Sequence, residues 1–274
     1  MSDLSAEAAT MTEQLTDDQV GEFEENGFVI VRGLFSSDEI DLLEAVTRAD
    51  PGMSRGGVMK DADGGESRIW ITSDVKEDIA NAFAHSGRIV NPIQQLLGGP
   101  VYIWHYKMML KEPRVGGAWE WHQDYGYWYG DKCLFPNLAS CMIAVNRATK
   151  ENGCLQVLRG SNLAGRIEHG NRGGQVGADP DRTDAMEKRL ELVYGEMEPG
   201  DALFFHCNTL HRSDQNKSEH ARWAFICCYN TVANTPFVST DYHGQPDPTE
   251  VWPDERISEL GKRQLEALAS TKED

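Results

Sequence analysis

The chain has 274 residues, 40% of them hydrophobic and 26% charged, a balance that excludes wholesale disorder and allows one large domain with a buried core. Its 44 acidic against 26 basic residues give a net charge of −18, which disfavours nucleic acid and anionic lipid as partners and reads as a solvating surface. The first fifteen residues hold no basic segment, no apolar segment and no Arg, and no apolar run reaches membrane-span length, so a soluble cytoplasmic protein is expected, with no membrane partner.

In chain order, residues 1–15 read as a flexible arm, and residues 16–274 as a single domain with a helical N-terminal part and a β core from about residue 101. Thr16 to Gln19 forms a capping box that opens a helix ending at Gly27, followed by a strand at Phe28 to Val31. Ser36 to Glu39 is a second capping box, with Ile40, Leu43 and Val46 at helical spacing behind it. Residues 51–68, rich in Gly, Asp and Ser, predict a loop placed to cover a pocket, and one helix is expected from about Val75 to Leu97, ended by Gly98.

Beyond Val101 the pattern predicts short strands at about 101–110, 117–124, 140–147, 153–158, 192–198, 201–206 and 222–231, which argue for a sandwich or jelly roll behind flanking helices. Residues 160–187 carry six glycines and predict a long mobile insert, a second lid. A last helix passes through Ile257, Leu260 and Leu268. The six cysteines form no CxxC pair and are expected as free, buried thiols.

Chemistry concentrates at Trp121-His122-Gln123-Asp124. Near the end of a strand, His122 and Asp124 point the same way, so an imidazole and a carboxylate converge. A third neutral ligand would complete a 2-His-1-carboxylate triad with three metal positions open. By the same parity Trp119 and Trp121 face away from that site into the core. Tyr125, Tyr127, Trp128 and Tyr129 follow the pair and form an apolar wall or a cage for a cationic group, with ordinary loop packing as the alternative.

A later segment, Gly200-Asp201 through His206 and His211 to Arg222, supplies the rest. With the His-x-Asp pair, the Gly27 to Gly33 stretch, Ala148 to Leu155 and Arg159-Gly160-Ser161, the chain from Thr16 to about Asn230 resembles the phytanoyl-CoA dioxygenase family. The resemblance implies a mainly β fold with flanking helices around a double-stranded β-helix (jelly-roll, cupin-like) core. It implies Fe(II) held by His122, Asp124 and His211, and 2-oxoglutarate as cosubstrate with its far carboxylate on Arg222, eleven residues after His211. That spacing alone prefers His211 to His206. Lys111 and Ser213 fall where the cosubstrate lies in relatives, and Met142 where certain members carry an aromatic residue.

The implied activity is hydroxylation of a small organic substrate with O2, yielding succinate and CO2. Relatives that halogenate lack the carboxylate ligand that Asp124 provides. Two alternatives remain open here, a non-haem iron oxygenase that does not use 2-oxoglutarate, and a metal-binding β-barrel without turnover that binds a small ligand or partner.

Overall fold

The computed structural model describes residues 14–172, 174–238 and 246–271. Both capping boxes are formed. The Thr16 hydroxyl accepts from the Gln19 N–H and the Gln19 side chain accepts from the Thr16 N–H, opening helix α1 (Asp17–Asn26). Ser36 and Glu39 do the same for helix α2 (Ser37–Ala49). Gly27, in the left-handed region at φ 83°, stops α1 and releases strand β1 (Phe28–Val31). The expected N-terminal arm lies outside the described residues up to residue 13. Leu15, assigned to that arm, is buried and exchanges two backbone hydrogen bonds with the Gln95 side chain.

The stretch 51–68 is not a plain loop. It holds a short helix α3 (Pro51–Ser54) and a hairpin of β2 (Gly57–Lys60) and β3 (Glu66–Thr72), turned by Asp61, whose carboxylate accepts the N–H groups of Asp63 and Gly65. The single helix expected over 75–97 is two, α4 (Ile79–Ala84) and α5 (Gly87–Leu97), because the Ser86 hydroxyl caps a fresh start at the Arg88 N–H.

The remaining strands are β4 (Val101–Lys111), β5 (Trp119–His122), β6 (Leu138–Ala144), β7 (Leu155–Leu158), β8 (His169–Arg172), β9 (Gln175–Ala178), β10 (Leu192–Gly195), β11 (Ala202–His206), β12 (His211–Ser213) and β13 (Arg222–Thr231). Helix α6 (Asp124–Trp128) follows β5, α7 (Pro180–Glu187) follows β9, and α8 (Glu255–Ser270) comes last. A seven-stranded sheet runs β1-β11-β6-β13-β4-β3-β2 and a four-stranded sheet runs β10-β7-β12-β5, with every pairing antiparallel. The architecture is mostly antiparallel sheet with flanking helices.

Strands β4, β6 and β13 are buried along nearly their whole length because both faces of the large sheet are covered. Phe225, Cys227 and Tyr229 pack with α2, α4 and α5 residues such as Leu43, Phe83 and Ile89. Their neighbours Ala224, Ile226 and Cys228 pack in a second core that also takes Leu155 and Val157 from the small sheet. The period-2 alternation of a strand thus assigns one set to the helical layer and the other to the space between the sheets. All six cysteines are free and buried. Among the described residues no helix is long and apolar enough to cross a membrane.

Gly200, at φ 89°, turns the chain into β11, and a Cβ there would collide with the Phe35 carbonyl. Gly200→Ala is expected to cost at least about 1–2 kcal/mol, the penalty for a side chain in the left-handed region, before the clash is counted. Urea unfolding should show a lower midpoint at unchanged slope, and an unaltered midpoint would refute this account.

Candidate active site

His122 is the last residue of β5, and Asp124 is the first of α6, so the two do not share a strand as expected. They converge because the chain turns at Gln123. His211 joins them through strand pairing: it opens β12 and stands directly opposite His122 in the antiparallel register, with ring centroids 4.1 Å apart. One potential ligand atom from each of His122, Asp124 and His211 lies within 4.8 Å of the others, and all three residues are buried.

The backbone orients both rings. His122 Nδ1 lies 2.7 Å from the Glu120 carbonyl and His211 Nδ1 lies 2.9 Å from that of Thr209. A carbonyl only accepts, so each Nδ1 carries the hydrogen and each Nε2 keeps its lone pair for a metal. Asp124 Oδ2 accepts from the Ser140 hydroxyl at 2.9 Å, while Oδ1 lies 4.0 Å from His211 Nε2.

Burial, reinforced by the neighbouring His211, holds the His122 imidazole well below its usual pKa, and burial does the same for His211. For Asp124 burial works upward, but Lys107 and the two imidazoles outweigh it and keep the carboxyl below the ordinary range. Two neutral imidazoles and one carboxylate fit a divalent transition metal.

Two residues given no role in the sequence reading, Gln123 and His169, hold the ligand turn. Gln123 is fully buried. Its amide donates to the carbonyls of Gly165 and Asn208 and accepts from the Ile167 N–H, while its own N–H donates to His169 Nε2. The stretch 160–187, expected as a mobile insert, therefore contains the β8–β9 hairpin and α7 and is tied to the ligand turn. The available signal was a glutamine between two ligands.

Two cavities meet at the triad. The outer one, about 550 Å³, is walled by His122, Asp124, Lys107, Trp119, Tyr127 and Trp128, among others. The inner one, about 60 Å³, shares His122 and Asp124 and extends to His211, Ser213 and Arg222 between apolar side chains that include Met142. Arg222 is buried, burial pushes its pKa down to about 10, and among the described residues its one side-chain bond runs from Nε to the Gly153 carbonyl at 3.1 Å. Lys111, expected against the cosubstrate, is on neither wall. It is fully buried one layer back, where Nζ donates to the Ser213 hydroxyl at 2.8 Å and to the Asp214 carbonyl.

The aromatic residues divide differently from expectation. Tyr127 and Trp128 line the outer cavity, but Tyr125 is in the core with its hydroxyl on the Leu134 carbonyl, and Tyr129 is 49% exposed beneath the Arg166 guanidinium. The cause is α6: at 3.6 residues per turn, positions 124, 127 and 128 share a face that 125 and 129 do not.

Trp119, predicted to face away, lines both cavities. Ser213 pairs with Trp119 where regular register from His211–His122 would give Glu120, and this one-residue irregularity reverses the parity. Trp121 does face away, packing with Leu158 and Ile167. His206 stands outside the triad, with Nδ1 accepting from the Asn208 N–H.

Residues 23–224 match the family described as phytanoyl-CoA dioxygenase. L-proline trans-4-hydroxylase from Streptomyces griseoviridis is 33% identical over 164 residues, covering 54% of this chain and 61% of that protein, so the match spans about three fifths of that relative. Ectoine dioxygenase from Stutzerimonas stutzeri (strain A1501) is 27% identical over 237 residues, covering 78% and 76%. The fold is shared with EctD from S. alaskensis, solved with 2-oxoglutarate and 5-hydroxyectoine, at a TM-score of 0.73 and 22% identity over 87% of each chain. The chain belongs to the phytanoyl-CoA dioxygenase family, and it is thereby an enzyme of the 2-oxoglutarate-dependent dioxygenase class.

Burial lowers the His206 pKa to about 4, so its ring stays neutral well into acid. Because the folded value lies below the unfolded one near 6.5, this neutral burial supports the fold fully above about pH 6.5, and the support is lost as pH falls toward about 4. An NMR titration should place the His206 midpoint near 4, and a midpoint near 6.5 would sink the assignment. Gln123→Ala leaves three buried backbone groups without partners, and is expected to cost about 3 kcal/mol in chemical unfolding and to lower metal affinity about 10–100-fold by equilibrium dialysis.

Proposed function

We propose that the protein is an Fe(II)- and 2-oxoglutarate-dependent dioxygenase that hydroxylates a small organic metabolite on a double-stranded β-helix core. The observation that carries this reading is the buried His122, Asp124 and His211 cluster opening onto a narrow cavity that Arg222 also lines. The order of strands supports the jelly roll. β4, β6, β11 and β13 fall in the large sheet while β5, β7, β10 and β12 fall in the small one, with a common core between.

His122, Asp124 and His211 would hold the iron and leave it positions for cosubstrate and oxygen. When bound, iron and 2-oxoglutarate supply the oxidising power: O2 delivers one oxygen atom to succinate as CO2 leaves, and the other to a substrate C–H bond. Everything else is the task of the chain. Among the described residues Arg222 has only Nε engaged, so its two amino groups offer a planar fork to a carboxylate in the inner cavity.

Ser213 adds a hydroxyl there, held in place by Lys111, which therefore positions the site rather than touching the keto acid. Met109, Met142 and Leu155 surround the path with apolar surface, against which a methylene chain packs and an unpaired carboxylate is rejected. In the outer cavity, Trp119, Tyr127 and Trp128 exclude water from the substrate carbon. The volume of about 550 Å³ suits a small metabolite, and the charge of −18 speaks against a nucleic acid substrate.

Anaerobic addition of Fe(II) and 2-oxoglutarate should produce the weak visible absorption band of the chelate, and the loaded protein should release succinate in air. His211→Ala should lose the iron and the band together. Arg222→Ala should keep the iron but weaken 2-oxoglutarate binding about 30-fold, the loss of one charge-assisted pair, with Arg222→Lys recovering part of it. A fully metallated protein without the band, or wild-type 2-oxoglutarate affinity in Arg222→Ala, contradicts the reading.

A further inference from the structure

Strand β5 is the outer strand of the small sheet, and in four residues it carries both Trp119 and His122. An edge strand leaves a row of N–H and C=O groups without a ladder partner. Here side chains take up that row. Asp61 Oδ2 accepts from the Ala118 N–H at 2.7 Å, Gln175 Nε2 donates to the Ala118 carbonyl at 2.9 Å, and Gln175 Oε1 accepts from the Glu120 N–H at 3.2 Å. The Gln175 amide also donates to the Lys60 carbonyl at the end of β2 at 3.2 Å, so one side chain, only 5% exposed, joins β2, β5 and β9. Gly177 lets β9 lie this close, since a Cβ there would stand 3.1 Å from the Trp121 carbonyl.

The consequence falls on Glu120. His211 faces His122 and Ser213 faces Trp119, so Glu120 and Trp121 together oppose the single Arg212, which is a bulge. A bulge leaves peptide groups out of the ladder, and those of Glu120 go elsewhere: its N–H to Gln175 and its carbonyl to His122 Nδ1 at 2.7 Å. One displaced residue therefore has two effects. Its carbonyl fixes the ring of a metal ligand, and the added residue reverses the alternation so that Trp119 faces both cavities.

We infer that Gln175 is a positioning residue for both halves of the site: by holding Glu120 in the bulge it fixes the His122 ring and keeps Trp119 turned inward. This rests on the oxygenase reading above. Regular pairing would set Glu120 opposite Ser213 and send Trp119 outward. It would also strip a buried amide of its partners, so Gln175 penalises the regular register and favours the bulged one.

Gln175→Met keeps the length and packing of the side chain and removes its hydrogen bonds. Anaerobic equilibrium dialysis should show Fe(II) affinity lowered about tenfold, and calorimetry on the iron-loaded protein should show 2-oxoglutarate affinity lowered about fivefold. The two losses should separate in a Trp119→Ala background, where Gln175→Met still weakens Fe(II) binding but changes 2-oxoglutarate affinity by no more than about twofold. NMR on the native protein adds a check that needs no variant: the Glu120 amide should exchange with solvent about a hundredfold more slowly than an unstructured amide, although β5 is an edge strand. A fast Glu120 amide, or a folded Gln175→Met that binds Fe(II) and 2-oxoglutarate as the native protein does, would overturn the proposal. So would a loss of 2-oxoglutarate affinity that persists in full without Trp119. Native protein that takes up neither Fe(II) nor 2-oxoglutarate would instead bring down the oxygenase reading, and this inference with it.

Discussion

A carboxylate that is only 3% exposed carries a desolvation penalty that the surrounding protein must offset, and Asp124 bears it beside two imidazoles that are also buried. Much of the structure around the site follows from that constraint. The Ser140 hydroxyl satisfies one carboxylate oxygen, and the field of Lys107 favours the ionised form. Each imidazole is kept neutral by burial, with its Nδ1–H on a backbone carbonyl two residues earlier in the chain. The triad is thus assembled in a form that a divalent ion stabilises, and binding of the ion repays the desolvation already incurred.

Holding this arrangement requires rigid support on two sides. The large sheet provides one, since its far face is sealed by the packing of α2, α4 and α5 against Phe225, Cys227 and Tyr229. Gln123 provides the other. One fully buried amide joins the ligand turn to the 160–178 stretch and to the segment that leads into His211, so the two ligand-bearing stretches share a hydrogen-bonded node. Tyr127 extends the same clamp, its hydroxyl bonding the Val176 carbonyl in β9.

What could be read from the sequence was what is decided locally. The capping boxes at Thr16 and Ser36 involve groups three residues apart, and the long strands β4 and β13 carry their own composition. The missed features depend on distant partners. Trp119 faces the site because of an irregularity in its pairing with Ser213, ninety-four positions along the chain, which no local pattern reveals. β3 hid behind a glycine-rich turn because its place in a sheet is set by β4. Tyr125 and Tyr129 were grouped with Tyr127 because an aromatic run has the composition of a strand or a loop, whereas Asp124–Trp128 form a helical turn that Tyr129 caps. Lys107 drew no notice since a lysine on a strand ordinarily faces water, and only the order of strands shows that both faces of β4 are covered.

The same order of strands explains why one site presents two unlike cavities. Along β13 and β4 the side chains that face the small sheet set the cationic residues Lys107, Lys111 and Arg222 among apolar neighbours such as Met109, Ala224 and Ile226, so charge is metered out at separate points. Lys111 is neutralised in effect by its own bonds and by burial, which pulls its pKa well down. On the inner wall Arg222 stands with Arg212, whose guanidinium is engaged by Gln156 and Glu187, and Lys107 belongs to both walls, so a ligand meets positive charge at separate points. Because His122, Asp124, Trp119 and Lys107 belong to both walls, whatever fills the inner cavity also becomes part of the surface that the outer ligand meets, and the two bindings are thermodynamically linked.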